Sequence, residues 1–310
     1  CYNAAAWILT SVDSVLKQTH RELELLVVDD GSSDHSLEIL KTISDPRLKV
    51  FTQQNRGAAA ARNTALKSAR GEWVQYLDAD DLLAPDKIEQ QLRAANNHGQ
   101  ATLMTSPWAR FNHSIDEASF VEQPHWHDFE PVEFLLDSWL NDWMMHPACW
   151  LIRRDIIDAA GLWNEKLSLD DDGEYFSRIV LASKGTVFVP EAKSYYRSNV
   201  AGSLSSFRNR RGLRSAYESV CLKTKHLLGH EQSKQAKTVC GRLFKVFAFD
   251  AFPLLPRLRR RAEQKAKQLG YTETILIGGN KFRLLSRIFG WKLPKLLQWL
   301  WFGFRQRNIV

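Results

Sequence analysis

Residues 72–86 read EWVQYLDADDLLAPD. An apolar, β-prone run ends in three aspartates within four positions, Asp78, Asp80 and Asp81, and a proline follows. The run predicts a strand over 72–80. The proline predicts a helix over 85–96 (PDKIEQQLRAAN) with Pro85 at its first position. The same alternation runs upstream. ELELLVVDD (22–30) and RLKVFTQ (47–53) read as strands. DHSLEILKTI (34–43) has helical spacing with Asp34 as N-cap, and GAAAARNTALKSA (57–69) is a helix of strong formers. Strand–helix alternation implies right-handed βαβ units, hence an α/β fold on a mostly parallel sheet flanked by helices. Such sheets bind ligands beyond the carboxyl ends of their strands. Asp29–Asp30 and Asp78–Asp81 both fall at that edge.

Further along, ATLMTSPWARF (101–111), ACWLIRR (148–154) and TVFVP (186–190) read as strands, and DDGEYFSRIVLAS (171–183) as a helix. Residues 112–147, rich in Trp, His and Asp, read as an irregular or lid region. From about 207 the pattern becomes helical over 207–229, 231–250 and 256–269. The charge divides at the same place. Residues 207–310 hold 23 Lys and Arg against five Asp and Glu, whereas 1–206 hold 19 against 30. An acidic catalytic or metal-binding part, 1–205, is therefore expected beside a basic helical region, 206–310, that meets an anionic partner. The 310 residues suffice for one large domain or two ordinary ones. Cys1, Cys149, Cys221 and Cys240 lack metal or disulfide spacing, which makes a reducing compartment the default. No run of 18 apolar residues and no signal peptide is present. The start at CYN, without an apolar strand before it, is read as an N-terminal truncation.

Adjacent carboxylates repel, and each loses several kcal/mol on leaving water unless paired. A hard divalent cation removes both penalties, and Mg²⁺ and Mn²⁺ favour carboxylates together with substrate phosphates. Strand alternation would put Asp78 and Asp80 on one side, with Ala79 opposite. The plainer alternative is that Asp80–Asp81 caps the helix at Pro85. VVDDGSSD (27–34) has similar ambiguity: a carboxylate that bonds a pyrimidine edge, or a tight turn and cap.

Together CYNA (1–4), SVLKQTHRELELLVVDDGSSD (14–34), NRGAAAARN (55–63), GEWVQYLDADD (71–81) and LDDDGEYFSR (169–178) resemble family 2 glycosyltransferases of the GT-A, Rossmann-like fold. The resemblance covers about residues 1–200. It implies inverting, metal-dependent transfer of a sugar from a nucleotide-sugar, usually UDP-linked, to an acceptor hydroxyl, with Mn²⁺ or Mg²⁺ held by a D-x-D motif. It would put Tyr2 against the base, Asp30 at the base edge and Arg62 close to the donor site. Asp78 would face ribose and metal, and Asp80 would ligate the metal. Within DDDGEYFSR, Asp172 would be the base and Asp171 its paired acid. His146 or Asp171 would face acceptor or phosphate. Arg197, in YYRSNVAGSLSS, resembles a mobile segment that closes over the diphosphate. His125 and His127 have metal-like spacing without further support and are read as loop residues.

KFRLLSRIFGWKLPKLLQWLWFGFR (281–305) combines helical apolar spacing with cations. Its near-continuous apolar run, LLQWLWFGF (296–304), is too short to span a bilayer, and the segment reads as an interfacial helix on an anionic membrane surface. A helix packed on the catalytic domain or another subunit is the alternative. Nucleic-acid binding is disfavoured, because the aromatics cluster away from most of the charge. The expected partners are a nucleotide-sugar donor and a saccharide or lipid-linked acceptor, for polysaccharide or glycolipid synthesis. The expected location is cytoplasmic, peripheral on the inner membrane face. The rival classes are a nucleotidyltransferase, which lacks its Gly-rich basic phosphate loop, a dinucleotide dehydrogenase, which lacks G-x-G-x-x-G after a strand, and a non-catalytic scaffold on a transferase-like fold.

Overall fold

The computed structural model describes residues 1–98, 102–199, 209–275 and 277–307, with side chains to residue 300. The expected domain boundary at 205–206 and most of the segment after Arg197 lie outside these residues. Strand β1 (Leu25–Asp29) pairs in parallel with β2 (Leu48–Thr52), Leu25 facing Leu48 and Asp29 facing Thr52. Helix α1 (Ile8–Leu16) precedes them, α2 (Ser36–Lys41) connects them and α3 (Ala58–Ser68) follows. Strands β3 (Trp73–Gln75) and β4 (Leu82–Leu83) then flank the aspartate cluster, before α4 (Lys87–His98). The remaining elements of this half are β5 (Leu103–Thr105), β6 (Trp108–Phe111), α5 (Pro131–Asn141), β7 (Leu151–Arg153), α6 (Arg154–Ala160), α7 (Asp171–Ala182), β8 (Thr186–Phe188) and β9 (Ser194–Arg197). They form a four-stranded sheet in the order β3-β7-β5-β8 and a three-stranded sheet β4-β9-β6. The β5–β8 and β6–β9 ladders are parallel, and β3–β7, β5–β7 and β4–β9 antiparallel. Mixed pairing of this kind is common in large α/β sheets.

Several boundaries differ from the sequence expectation. The strand expected over 72–80 stops at Gln75, its last residue paired to β7. Beyond it Tyr76 turns inward to the Tyr175 hydroxyl (3.0 Å), and Asp78 O accepts from Asp81 N (3.1 Å) to close a turn. The aspartates therefore lie on a turn, so strand alternation does not order them. Pro85 precedes α4 rather than opening it; its carbonyl accepts from Thr19 N (2.8 Å). Asp34 does not cap α2 from the N-cap position, which His35 occupies. Its Oδ1 instead holds Ser36 N (3.0 Å) and its Oδ2 Ala5 N (3.0 Å). The strand expected over 101–111 is two, β5 and β6, in different sheets, because Ser106–Pro107 interrupts pairing. Within 112–147 stands the eleven-residue α5, with Pro131 in its first turn.

The basic region is helical as expected: α8 (Arg210–His230), α9 (Lys234–Asp250), α10 (Pro256–Gln268), α11 (Asn280–Phe289) and α12 (Lys292–Arg307). One buried apolar cluster runs through both halves, joining Trp150, Phe176 and Ile179 to Leu213, Val239 and Phe244. Burying each such side chain contributes roughly 1.5–3 kcal/mol. That cluster sits behind α7 and fixes the helix that presents Asp171 and Asp172.

Candidate active site

Two loops build one wall. Cys1 lies beside β1: its amino group donates to Val28 O (2.6 Å), and its carbonyl accepts from Asp30 N (2.8 Å). Asn3 accepts from Ser33 N (2.8 Å), and Ala4 N donates to Ser36 Oγ (2.8 Å), strapping residues 1–5 to the DDGSSD turn. Gly31 supplies the positive φ of 76° that this turn needs. Tyr2 is 52% exposed at the mouth of the cavity. Asp30, placed at the base edge by resemblance, is 3% exposed. Its Oδ1 accepts from Gln53 Nε2 (2.7 Å) and Arg56 N (2.9 Å), and Oδ2 from Gly57 N (2.8 Å). Three of its roughly four lone-pair positions are thus taken by the loop before α3. Asp30 shapes the wall, with about one position left for a ligand.

Arg62, on α3, is the centre of the site. Its guanidinium donates to Asp78 Oδ1 (2.7 Å) and Asp171 Oδ2 (3.2 Å) and lies 4.4 Å over the Trp163 ring. The two acidic clusters, 93 residues apart in sequence between Asp78 and Asp171, are therefore one guanidinium apart in space. Burial opposes the charge on Arg62, but Asp78 and Asp171 outweigh it and raise its pKa. Burial likewise works against ionised Asp78, yet the same arginine holds its pKa below the usual carboxylate range. Trp163 is fixed from behind: Asn63 Oδ1 accepts from its backbone N–H (2.9 Å), and Asn63 Nδ2 donates to its backbone carbonyl (3.0 Å).

Asp80 and Asp172 lack such a partner. No other described residue donates a hydrogen bond to the Asp80 carboxylate, and burial with Asp81 and Asp78 nearby pushes its pKa up to about 7. Asp172 is pushed to about 7 by burial, Asp171 and Asp170; among the described residues, its Oδ1 accepts from Gly173 N (2.8 Å). Asp171 is also raised, by burial that Arg62 only partly offsets. Asp170 is pinned instead: Lys223 Nζ (2.5 Å) and Ser219 Oγ (2.6 Å), both on α8, donate to its Oδ2.

Two expected ligand contacts have other work. His146, expected to face acceptor or phosphate, is 1% exposed and has both ring nitrogens in use. Nδ1 meets Asp81 Oδ2 (2.9 Å) and Nε2 meets Ser194 Oγ (3.1 Å). Ser194 Oγ also donates to Pro107 O (3.4 Å), which leaves it able to accept from Nε2–H of a charged ring. Burial opposes this cation, but Cys149 and Asp81 outweigh it and raise His146 to about 10. Arg197, expected in a closing segment, is 6% exposed and clamped. Its guanidinium lies between the rings of Trp7 (4.2 Å) and Phe111 (4.3 Å), while Nε donates to Asp80 O (2.9 Å) and its backbone N–H to Asp81 Oδ1 (2.8 Å). Both residues hold the Asp80–Asp81 turn in place. His125 is 6% exposed, its ring 5.0 Å from that of Trp143 and tilted against it, within the packed region. Sequence reasoning passed over Trp163 and Trp7; GLWNE (161–165), a glycine–aromatic–acid run before α7, was the available signal for the first.

A cavity of about 2180 Å³ is lined by Tyr2, Asp30, Arg62, Asp78, Asp80 and Asp172 among others. It exceeds the roughly 300–1,000 Å³ of a common ligand pocket, since it also runs back between β1 and β3, past Val27 and Val74. Its front is a carboxylate-rich cleft with one bridging arginine. No group of three or more His, Cys, Asp or Glu placed to hold a metal ion by itself occurs among the described residues. The unpartnered Asp80 nevertheless suits a hard cation that keeps most of its ligands from water and phosphate.

The model of the family described as glycosyl transferase family 2 matches residues 1–161. The Escherichia coli UDP-Glc:α-D-GlcNAc-diphosphoundecaprenol β-1,3-glucosyltransferase WfgD is 48% identical over 92 residues, 29% of this chain and 36% of that protein. Staphylococcus aureus TarS 1–349, solved with UDP-GlcNAc, aligns over 90% of this chain and 93% of its own, with TM-score 0.62 and 18% identity. The mannosyltransferase PcManGT from Pyrobaculum calidifontis, solved with GDP-Man and Mn²⁺, aligns over 97% and 85%, with TM-score 0.53 and 18% identity. The two solved structures share the fold. The chain spans only 14–38% of the length of the first curated relatives it matches.

Proposed function

The chain belongs to glycosyl transferase family 2, and from that premise we propose that it is an inverting, metal-dependent transferase that moves a sugar from a UDP-sugar to an acceptor hydroxyl. The observation that carries this reading is the Asp78–Arg62–Asp171 bridge, which brings the Asp78–Asp81 turn and the first turn of α7 into one cleft. Transfer with inversion requires both at once: charge neutralisation at the leaving diphosphate and a base at the incoming hydroxyl.

Asp172 takes the acceptor proton. A carboxyl with a pKa of about 7 is suited to that task near neutral pH, and general-base assistance is worth about 10²–10⁴-fold. Asp80, with Asp78, would hold Mn²⁺ or Mg²⁺, which would neutralise the departing diphosphate. Asp78 remains ionised because Arg62 faces it, and Arg62 keeps Asp171 from competing for the cation. Tyr2 offers an exposed ring to the base, and Asp30 one free lone pair to its edge. The acceptor is a saccharide or lipid-linked saccharide; the diphosphoundecaprenol-linked acceptor named for WfgD supports the second. The test is calorimetric titration of UDP with and without Mn²⁺, on the chain and on Asp80→Ala. Mn²⁺-dependent binding lost in the variant is expected. Failure of the folded protein to bind UDP, dTDP or GDP would sink the reading.

A further inference from the structure

Nine of the fifteen exposed large apolar residues among those described fall between Ile277 and Leu300. They are ordered. On α11, Leu284 and Ile288, and Leu285 and Phe289, are pairs four residues apart, 42–64% exposed. On α12, Leu293, Leu297 and Leu300 repeat at the next helical turns, 43–56% exposed. Such spacing puts each set on one helix face.

Other faces of the same helices, and Trp291 in the link between them, hold them to the protein. Phe282 and Trp291 pack on Phe249 of α9 (5.9 and 5.1 Å between rings), and Lys295 lies 4.0 Å over that ring. The apolar stripes are therefore presented outward by an anchored helix pair. Charge names the occupant. Residues 274–310 contain seven Lys and Arg and no Asp or Glu. Among the described residues no helix is long and apolar enough to cross a membrane. An outward apolar stripe with cations and no anions matches a surface of anionic lipid, where the stripe enters the acyl boundary and the cations meet headgroups. We propose that α11 and α12 dock the protein on an anionic bilayer surface through Leu284, Ile288, Phe289, Leu293, Leu297 and Leu300, with Lys281, Arg287 and Lys292 at the headgroups.

The proposal is independent of the transferase reading, because lipid binding and nucleotide binding are separate assays. The experiment is co-sedimentation of the full chain with vesicles of phosphatidylcholine alone or with 30% phosphatidylglycerol (about a third anionic lipid, a surface of the kind expected to attract basic segments), across a salt series. Three proteins are compared: unchanged, Ile288→Glu with Leu297→Glu, and Lys281→Gln with Arg287→Gln and Lys292→Gln. The expected result is binding to the anionic vesicles that weakens with salt. The double variant should lose at least tenfold in affinity, and the triple variant roughly fivefold for each cation removed. The far-UV circular dichroism of both variants should match that of the unchanged protein, which reports an intact fold. Three results would overturn it: no sedimentation of the unchanged protein, equal sedimentation of all three, or a dimer by light scattering that the double variant dissociates, which would assign the face to a second copy.

Discussion

Asp172, the proposed base, would serve catalysis at the expense of stability. Its carboxyl is raised to about 7 in the folded chain by burial and by Asp171 and Asp170, against an ordinary value of 3.8. The native state thus favours the protonated form. Stability from this group is full below about pH 4, falls as pH rises, and is lost above about 7. Under the proposed mechanism catalysis runs the other way, since a base must be ionised. Activity should therefore climb through about pH 7 on the acid limb. Asp172→Asn should lower kcat by about 10²–10⁴-fold while raising Tm at pH 8, with the Tm advantage vanishing near pH 4. A variant whose Tm matches the parent at every pH would show that Asp172 is not under this strain. The acidic residues themselves were legible in the sequence, because carboxylates crowded at strand and helix ends have few inexpensive explanations. The jobs of His146 and Arg197 were not. Each depends on partners from distant segments, Asp81 and Ser194 for the histidine, Trp7 and Phe111 for the arginine, and no local pattern announces such pairing.

At the scale of elements, the start of α7 is the most constrained junction. Asp170 adopts a left-handed conformation (φ 62°) while its side chain is pinned by Lys223 and Ser219 of α8. Its Oδ1 sits where a side chain at residue 173 would have to go: a Cβ on Gly173 would come within 2.1 Å of it. Gly173→Ala must displace Asp170 from its cation or shift the helix start. A cost of about 1–3 kcal/mol is expected, the range for overpacking a filled site, read as a lower midpoint in urea. Turnover should fall as well, because Asp171 and Asp172 ride on that first turn. A neutral midpoint would mean that the Asp170–Lys223 tie is slack. The helix itself was plain from DDGEYFSRIVLAS, and the alternation over residues 22–98 was plain for the same reason: period and breakers agree along those segments. Helix α5 was hidden because Trp, His and Asp dominate its surroundings, although Pro131 followed by Phe134, Leu135 and Trp139 is helical spacing. The split of 101–111 was signalled by Pro107, which cannot continue a central strand. What the sequence could not show is which sheet each short strand joins.

For the whole molecule, the acidic and basic halves of the chain meet through both apolar and ionic contacts. The buried cluster that contains Trp150 and Phe176 also contains Leu213, Tyr217 and Phe244. Polar ties cross at the same face: Lys223 to Asp170, His226 to Glu174 (3.1 Å) and Arg242 to Asp142 (2.6 Å). Glu174 is 2% exposed, so separating α8 from α7 would strip a partner from a buried carboxylate as well as expose the cluster. We therefore expect residues 1–205 and α8–α10 to unfold together. Two probes weight the halves differently. Eight of the eleven tryptophans lie before residue 206, so fluorescence follows the α/β half, whereas far-UV circular dichroism follows the helices. Their midpoints should coincide in urea. Adding UDP with Mn²⁺ at about 100 times the dissociation constant should stabilise by about 2.7 kcal/mol and move both midpoints equally. If the dichroism transition came first and ignored the nucleotide, the helical region would be a separate unit, and its hold on α7 would count for little in positioning Asp172.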